Sequence, residues 1–354
     1  MMEYQRDAKR RVRVGIVGTG SHSYRNIFPT LTYLPVELVA VADIDAEKAQ
    51  ATAAQYGAKE SYASAQEMYE KAGIEAVILC VSPQMHPTLT IAAFEAGLHV
   101  WMEKPAAMVA EEVKRMLAAR GNRVGVVGYK KAFMPAVRKA VEILALDGIG
   151  PLRSIVGIYP MSIPENGRKV LDEREATNWL ANGCHPLSVF LEIGGPAAAV
   201  TTHRGKHGGG ALIIEHANGA VSNFHLAQGA PMFQPFERYT IYANAQSIEI
   251  ENSRRIAYQR GIDFTYATGT SFAPPGLSGG AIVWEAQDGL NTLENKAVFT
   301  QGLYGELAHF CEAILEERPA TIGTLEFALQ LTRVYEAALL SDGRAVEIKQ
   351  EQSA

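Results

Sequence analysis

The stretch NWLANGCHPLS, residues 178–188, places His185 on a predicted helix with Asn182, Ala181 and Asn178 three, four and seven residues upstream. At 3.6 residues per turn these positions share one face with the imidazole. An imidazole beside a substrate hydroxyl can take its proton, and a neighbouring carboxylate ordinarily orients the ring and raises its basicity. This face carries no carboxylate. Asn182 or Asn178 could orient the ring, but an amide cannot carry a proton. A second candidate is Lys104 in WMEKPAA (101–107), where Pro105 stiffens the turn bearing the ammonium. A lysine so placed could polarise an oxygen and stabilise negative charge developing on it. Both residues have plainer readings, a satisfied histidine at an interface and a solvated lysine. Pro186 removes a helix hydrogen bond beside His185 and predicts a kink.

A nucleotide site is written nearer the N-terminus. GTGSHS, from Gly18 to Ser23, follows the first predicted strand. Gly18 would allow the tight turn and Gly20 would let a pyrophosphate approach the backbone, with Ser23 at the third glycine's place. The anion would sit at the helix N-terminus, with Ser21 and His22 in the contacting loop. A GxG alone also fits an ordinary strand-to-helix turn. Asp43 adds weight, because it ends the second strand about 20 residues on, where a carboxylate holds a ribose diol and repels a 2′-phosphate. Ile44 rather than arginine follows it, so NAD is expected and NADP is less favoured. Asp45 is the better helix cap.

The elements that must position these residues alternate. Valine-rich apolar runs at 12–18, 36–43, 76–82, 99–103 and 123–129 read as strands buried on both faces. Helices are expected at 46–56, from the capping box SAQE (64–67), at 87–97 and at 109–119. Strands spaced by such helices make a doubly wound parallel sheet. CVSPQMHP (80–87) and WMEKPAA then end parallel strands, where open α/β sheets keep their ligands. After DGIGPLRSIVGIYP (147–160) the chain turns to strands without crossover helices. ALIIEHANGAVSNFHLA (211–227) reads as two strands about a two-residue turn at Asn218-Gly219, and 238–260 continues the meander. The fold class is thus α/β, an N-terminal Rossmann sheet (1–130) followed by an α+β domain with a largely antiparallel sheet (131–354). Residues 271–289 read as a long loop, and two helices close the chain.

Composition narrows the function. With 354 residues, 47% hydrophobic, and a net charge of −5, the chain suits two globular cores. Slight acidity with only Lys9-Arg10-Arg11 as a basic run argues against nucleic acid as a partner. Cys80, Cys184 and Cys311 lie far apart, with no disulfide framework or zinc spacing, which suggests a reducing cytosol. His203, His207, His216 and His225 lack ligand spacing, so no metal is expected. No run reaches the ~18 apolar residues of a membrane helix, and the arginine pair near the start enters a strand rather than an export signal.

Taken in order, the GxG loop, CVSPQMHP, EKP, GYKKAF (128–133) and NGCHPLS resemble the Gfo/Idh/MocA oxidoreductases over nearly the whole chain. The resemblance implies a nicotinamide-dependent enzyme acting on a sugar, cyclitol such as inositol, or related polyol. It also implies a second sheet whose outer face supports a homodimer or homotetramer. By that likeness Gly18, Gly20 and Asp43 hold the cofactor. Ser82, Pro83 and His86 line its nicotinamide side, and Glu103 and Lys104 form the paired motif with the lysine near the reacting carbon. His185 would be the acid/base or substrate ligand. Aspartates common in the family four residues before and three after this histidine are here Ala181 and Ser188, and an arginine after GF-x-x is Ala132. Tyr129, Tyr159 and Trp179, with Met161 and Arg168, fall where the second domain should face the nicotinamide, and a sugar could stack on Trp179 or the indole could be core. Two other functions remain open. One is a lyase or glycosidase that keeps NAD and oxidises one carbon transiently; the other is a non-catalytic NAD-binding regulator.

Overall fold

The computed structural model describes residues 5–231, 236–261, 280–285 and 297–349. Six strands, β1 (Val12–Val17), β2 (Val36–Ala42), β3 (Glu60–Tyr62), β4 (Ala76–Leu79), β5 (His99–Met102) and β6 (Gly125–Val127), form a parallel sheet. Their order, 3-2-1-4-5-6, reverses direction between β1 and β4. That reversal opens the crevice in which doubly wound sheets bind dinucleotides. Local sequence sets the helix ends. Asp45 accepts the Lys48 amide to start Ala46–Tyr56, and Gly57 ends that helix at φ 75°, a conformation costly for other residues. Ser64 accepts the Glu67 amide at 3.4 Å to open Ala65–Lys71. Glu67 turns to Lys71 instead of back to Ser64, so only half of the expected capping box forms. Helices His86–Glu95 and Ala110–Ala119 complete the crossovers.

Nine strands make the second sheet: β7 (Ser154–Tyr159), β8 (Ala197–Arg204), β9 (Gly210–His216), β10 (Val221–Leu226), β11 (Arg238–Tyr242), β12 (Ser247–Glu251), β13 (Arg255–Gln259), β14 (Ala281–Glu285) and β15 (Val346–Glu347). Their order is 14-13-12-11-7-10-9-8-15, and only the β7–β10 pair is parallel. Alternation decides the faces. Ile155, Ile241 and Ile248 are in register and buried, as are Tyr239 and Ile250 beside Gly157. Gly157 has no side chain for a reason. A Cβ there would run into the ring of Phe190, which lies on the helix Asn178–Gly194. This close contact seats the His185 helix on the inner face of the sheet.

The chain then returns to the first sheet. Helix Leu303–Leu315 buries Leu307, Phe310 and Ile314 in one core with Val12, Val14, Ile16 and Trp101. Helix Leu325–Leu340 packs on both Ala110–Ala119 and β8. Three local expectations change. The turn at Asn218-Gly219 has three residues, since His216 donates to the Ala220 carbonyl and Gly219 adopts φ 86°, the common bulged hairpin. β3 is an additional strand, held by β2 although its own three residues show no apolar run. Within the stretch read as a long loop, Ala281–Glu285 pairs with β13 as β14, while 271–279 and 286–289 lie outside the described residues. Among the described residues, no helix is long and apolar enough to cross a membrane.

Candidate active site

At the switch point Gly18 adopts φ 94°, and a Cβ on it would fall against the carbonyl of Cys80. Only glycine lets β1 and β4 end this close together. Gly20 is different, because a Cβ there would meet nothing within 4 Å. That open backbone, with Ser23 Oγ donating to the Gly20 carbonyl at 2.9 Å, is the surface a pyrophosphate would approach. Asp43 is held in place by the loop. Its Oδ2 accepts the Thr19 amide and hydroxyl, each at 2.7 Å, and its Oδ1 accepts the Asp45 amide at 3.0 Å. Burial pushes its pKa up, but the bonds from Asp45 and Thr19 outweigh it, so the net shift is downward and the group stays ionised. Ile44 is 97% exposed and adds no cation. The residues therefore fit an adenosine ribose and pyrophosphate. Ser21 and Ser82 are exposed on this rim, with Pro83 half-buried.

The glycine loop and the Glu103-Lys104 turn are tied to each other. His22 Nε2 lies 2.6 Å from Glu103 Oε1, and the other carboxylate oxygen accepts the Lys104 amide at 3.1 Å. Glu103 thus uses both oxygens to brace the glycine loop against the turn that carries Lys104. His86 plays a similar part. It is wholly buried, and its Nδ1 lies 2.9 Å from the Pro105 carbonyl. A carbonyl only accepts, so Nδ1 carries the proton and Nε2 is left without a protein partner. Burial lowers this imidazole's pKa and keeps it neutral.

Lys104 and His185 come together through one carbonyl. The Lys104 Nζ donates to the Ala181 oxygen at 2.8 Å, one turn before His185 on the same helix. Pro186 contributes locally, since it cannot donate to the Asn182 carbonyl and leaves the helix backbone there under-bonded. His185 is buried, and its Nδ1 has no partner. Neither asparagine orients it. Asn182 donates to Asn178 Oδ1 at 2.6 Å, and Asn178 to the Met161 sulfur at 3.6 Å. Burial pushes His185 well below the usual imidazole range, and Lys104, Lys131, Lys130 and His22 push it further in the same direction. The ring is a neutral proton acceptor in surroundings that oppose its protonation.

The other expected contacts have varied surroundings. Trp179 is 1% exposed, stacked near Tyr335 and beside Phe224 with its Nε1 toward the Tyr335 carbonyl at 3.5 Å, so a sugar cannot stack on it. Tyr129 is likewise wholly buried, and burial drives its phenol upward. Tyr159 is half-buried under the Lys131 ammonium, 4.7 Å from the ring centre. Arg168 lines a separate cavity of about 450 Å³ with Arg204 and Lys206. Sequence reasoning missed three groups. Lys131 forms a buried ion pair with Glu237, and Lys130 reaches Gln301 Oε1 at 3.0 Å. Glu306 is 1% exposed with no protein partner on either oxygen; burial and then Glu103 raise its pKa, while Lys130 and Lys104 oppose the shift. A carboxylate on the apolar stripe 303, 307, 310, 314 was the available signal. Among the described residues, no group of three His, Cys, Asp or Glu side chains could hold a metal ion.

Comparison with known proteins bears on the nucleotide half and on the fold. Residues 12–134 match a family model described as an oxidoreductase family with an NAD-binding Rossmann fold. Inositol 2-dehydrogenase 3 of Saccharopolyspora erythraea is 34% identical over 143 residues, 39% of this chain and 42% of that protein. The chain spans less than half the length of such curated relatives. A dehydrogenase from Chromobacterium violaceum has the same fold over 94% of this chain and 96% of its own, with a TM-score of 0.78 at 21% identity. Levoglucosan dehydrogenase, solved with NADH and levoglucosan, covers 97% and 100% with a TM-score of 0.76 at 20% identity.

Proposed function

From residues 12–134, which match the Gfo/Idh/MocA oxidoreductase family, we propose a dehydrogenase or reductase that uses NAD and acts on a CH–OH or keto carbon of a sugar, cyclitol or related polyol. The observation that carries this reading is the Lys104–Ala181 hydrogen bond, which brings the nucleotide-side turn within one helical turn of His185. Gly18, Gly20, Ser21 and His22 would form the cofactor's phosphate loop, Asp43 would hold the ribose diol, and Ser82 and Pro83 would flank the nicotinamide. Glu103 and His86 would brace the turn that carries Lys104. Bound NAD supplies the hydride acceptor at the carbinol carbon. His185, being neutral, takes the hydroxyl proton, and the Lys104 ammonium stabilises the negative charge that develops on that oxygen. Tyr159 and Asn182 would border the substrate. In the reducing direction the same two groups return the proton and polarise the carbonyl.

The division into a nucleotide half (1–130) and a substrate half (131–354) belongs to this reading, as do a cytoplasmic location and assembly as a homodimer or homotetramer through the outer face of the second sheet. The test is incubation of the full chain with NAD and a panel of polyols, following cofactor absorbance and products together. NADH formed in step with a keto product is the expected result. Product without net NADH, or neither, overturns the reading.

A further inference from the structure

The surroundings of His185 hold more positive charge than hydride transfer alone requires. Lys104 Nζ rests on the Ala181 carbonyl and Lys130 Nζ on Gln301 Oε1, both neutral partners. Lys130 and Lys131 lie on the turn Lys130–Phe133, which packs directly against the helix bearing His185. Lys131 is neutralised by Glu237, whose oxygens also take the Tyr239 and Ser253 hydroxyls at 3.2 and 3.3 Å. The other facing acids offer little. Glu103 is turned to His22, and burial and then Glu103 raise the pKa of Glu306 against the opposing pull of Lys130 and Lys104. Residues 178–188 include no acid, and the Ser188 hydroxyl is turned back onto the His185 carbonyl at 2.7 Å. Among the described residues, the Lys104 and Lys130 ammonium groups thus each rest on a neutral partner and form no ion pair.

We propose that the substrate is an anion, a sugar acid or other polyol acid whose carboxylate binds Lys130 while its reacting hydroxyl lies at Lys104 and His185. The inference rests on the oxidoreductase reading above and deepens it. A neutral polyol would leave both half-buried ammonium groups with neutral partners alone. A carboxylate would complete a charge-assisted hydrogen bond at Lys130. It would also offset the positive field that suppresses proton uptake by His185, so substrate binding itself would prepare the base.

Calorimetric titration of the NAD-loaded full chain tests this with matched pairs, D-gluconate against D-glucitol and D-glucuronate against D-glucose. At least one acid should bind about tenfold tighter than its neutral partner, as one charge-assisted hydrogen bond allows. Rising salt should erode that preference. Lys130→Gln should weaken the acid about fivefold or more and leave the neutral compound unchanged. Ala181→Asp, at a half-buried position on the same face, should weaken the acid independently. Equal or tighter binding of the neutral partner in both pairs overturns the inference, as does an acid affinity untouched by Lys130→Gln. Because heat of binding is read rather than NADH, absence of turnover counts against the oxidoreductase reading alone. Turnover of neutral polyols with no preference for acids counts against the anion alone.

Discussion

Among the described residues no group bonds the Nδ1 of His185, and Lys104 is tied to its helix through the Ala181 carbonyl. Removing either should therefore be severe. Lys104→Ala and His185→Ala should each lower turnover by about 10²-fold or more, with NAD affinity nearly unchanged because Gly18, Gly20 and Asp43 lie on the other side of the turn. Asn182→Ala should cost less than threefold or so, because its amide bonds to Asn178 and not to the imidazole. Steady-state kinetics and NAD titration separate these outcomes. The pH profile follows from the same environment. His185 titrates below its ordinary 6.5, so it is already unprotonated at pH 7. Oxidation should lose nothing through this group between pH 8 and 7 and should fall only on the acid side of about 6.5. A rate that declines from pH 8 to 7 and flattens in His185→Ala would contradict that environment. At Asp43 the carboxylate is fixed by Thr19 and Asp45, so a 2′-phosphate would meet a preset negative charge. Asp43→Ser should narrow the preference for NAD over NADP, measured by fluorescence titration; equal affinities in the unmodified protein would remove Asp43 from cofactor choice.

Helices were more legible in the sequence than the packing of their faces. Gly57 and Asp45 mark the ends of Ala46–Tyr56 because each acts on its own backbone, and such local chemistry can be read directly. The same holds for the helix of His185 and for the two closing helices. β3 was hidden because its three residues owe their conformation to β2, and β14 because glycines and prolines surround its short apolar run. Side-chain roles followed the same division. The approach of Lys104 to the His185 helix follows from their positions at a strand end and on a helix, whereas the burial of Trp179 depends on Tyr335 and Phe224, far along the chain. Helix Leu303–Leu315 gives the element-scale test. Glu306 is raised above its ordinary 4.5, so the folded state holds this proton more tightly than the unfolded chain does. The favourable contribution is fully present below about 4.5 and is lost as pH rises toward the folded value. Glu306→Gln keeps the shape and removes the titration. Its melting temperature should match the parent near pH 4.5 and exceed it increasingly at higher pH. A uniform loss at all pH values would mean that the carboxyl has a partner the amide cannot replace.

At the scale of the whole molecule, the chain makes a parallel sheet and an antiparallel sheet and then returns to close the first core with Leu307, Phe310 and Ile314. That return couples the halves, so the crevice at the end of β4 and β5 is bounded by elements from both ends of the sequence. Among the described residues, the helices that pack on the second sheet lie on the side of Ile155 and Ile241. Its other side is mixed rather than uniformly apolar: Val156 and Tyr242 are 39% and 43% exposed, while Asn223 and Glu249 lie in register with Val156 across the neighbouring strands. A broad open sheet with exposed valine and tyrosine near its centre gains stability when a second copy covers it, and a symmetric pairing would bring the same patch of each copy into contact. Val156→Asp tests this at a point where the two effects of the mutation separate. Val156 points away from the core, so the folded single chain should lose at most about 1 kcal/mol from weaker strand propensity. In an assembled pair each new carboxylate would be buried near its symmetry mate, a far larger penalty. The unmodified protein should scatter light as a multiple of one chain at micromolar concentration, and Val156→Asp as a single chain with an unchanged circular dichroism spectrum. A monomeric parent, or a variant that keeps its full mass, would move the assembly surface off this face of the sheet.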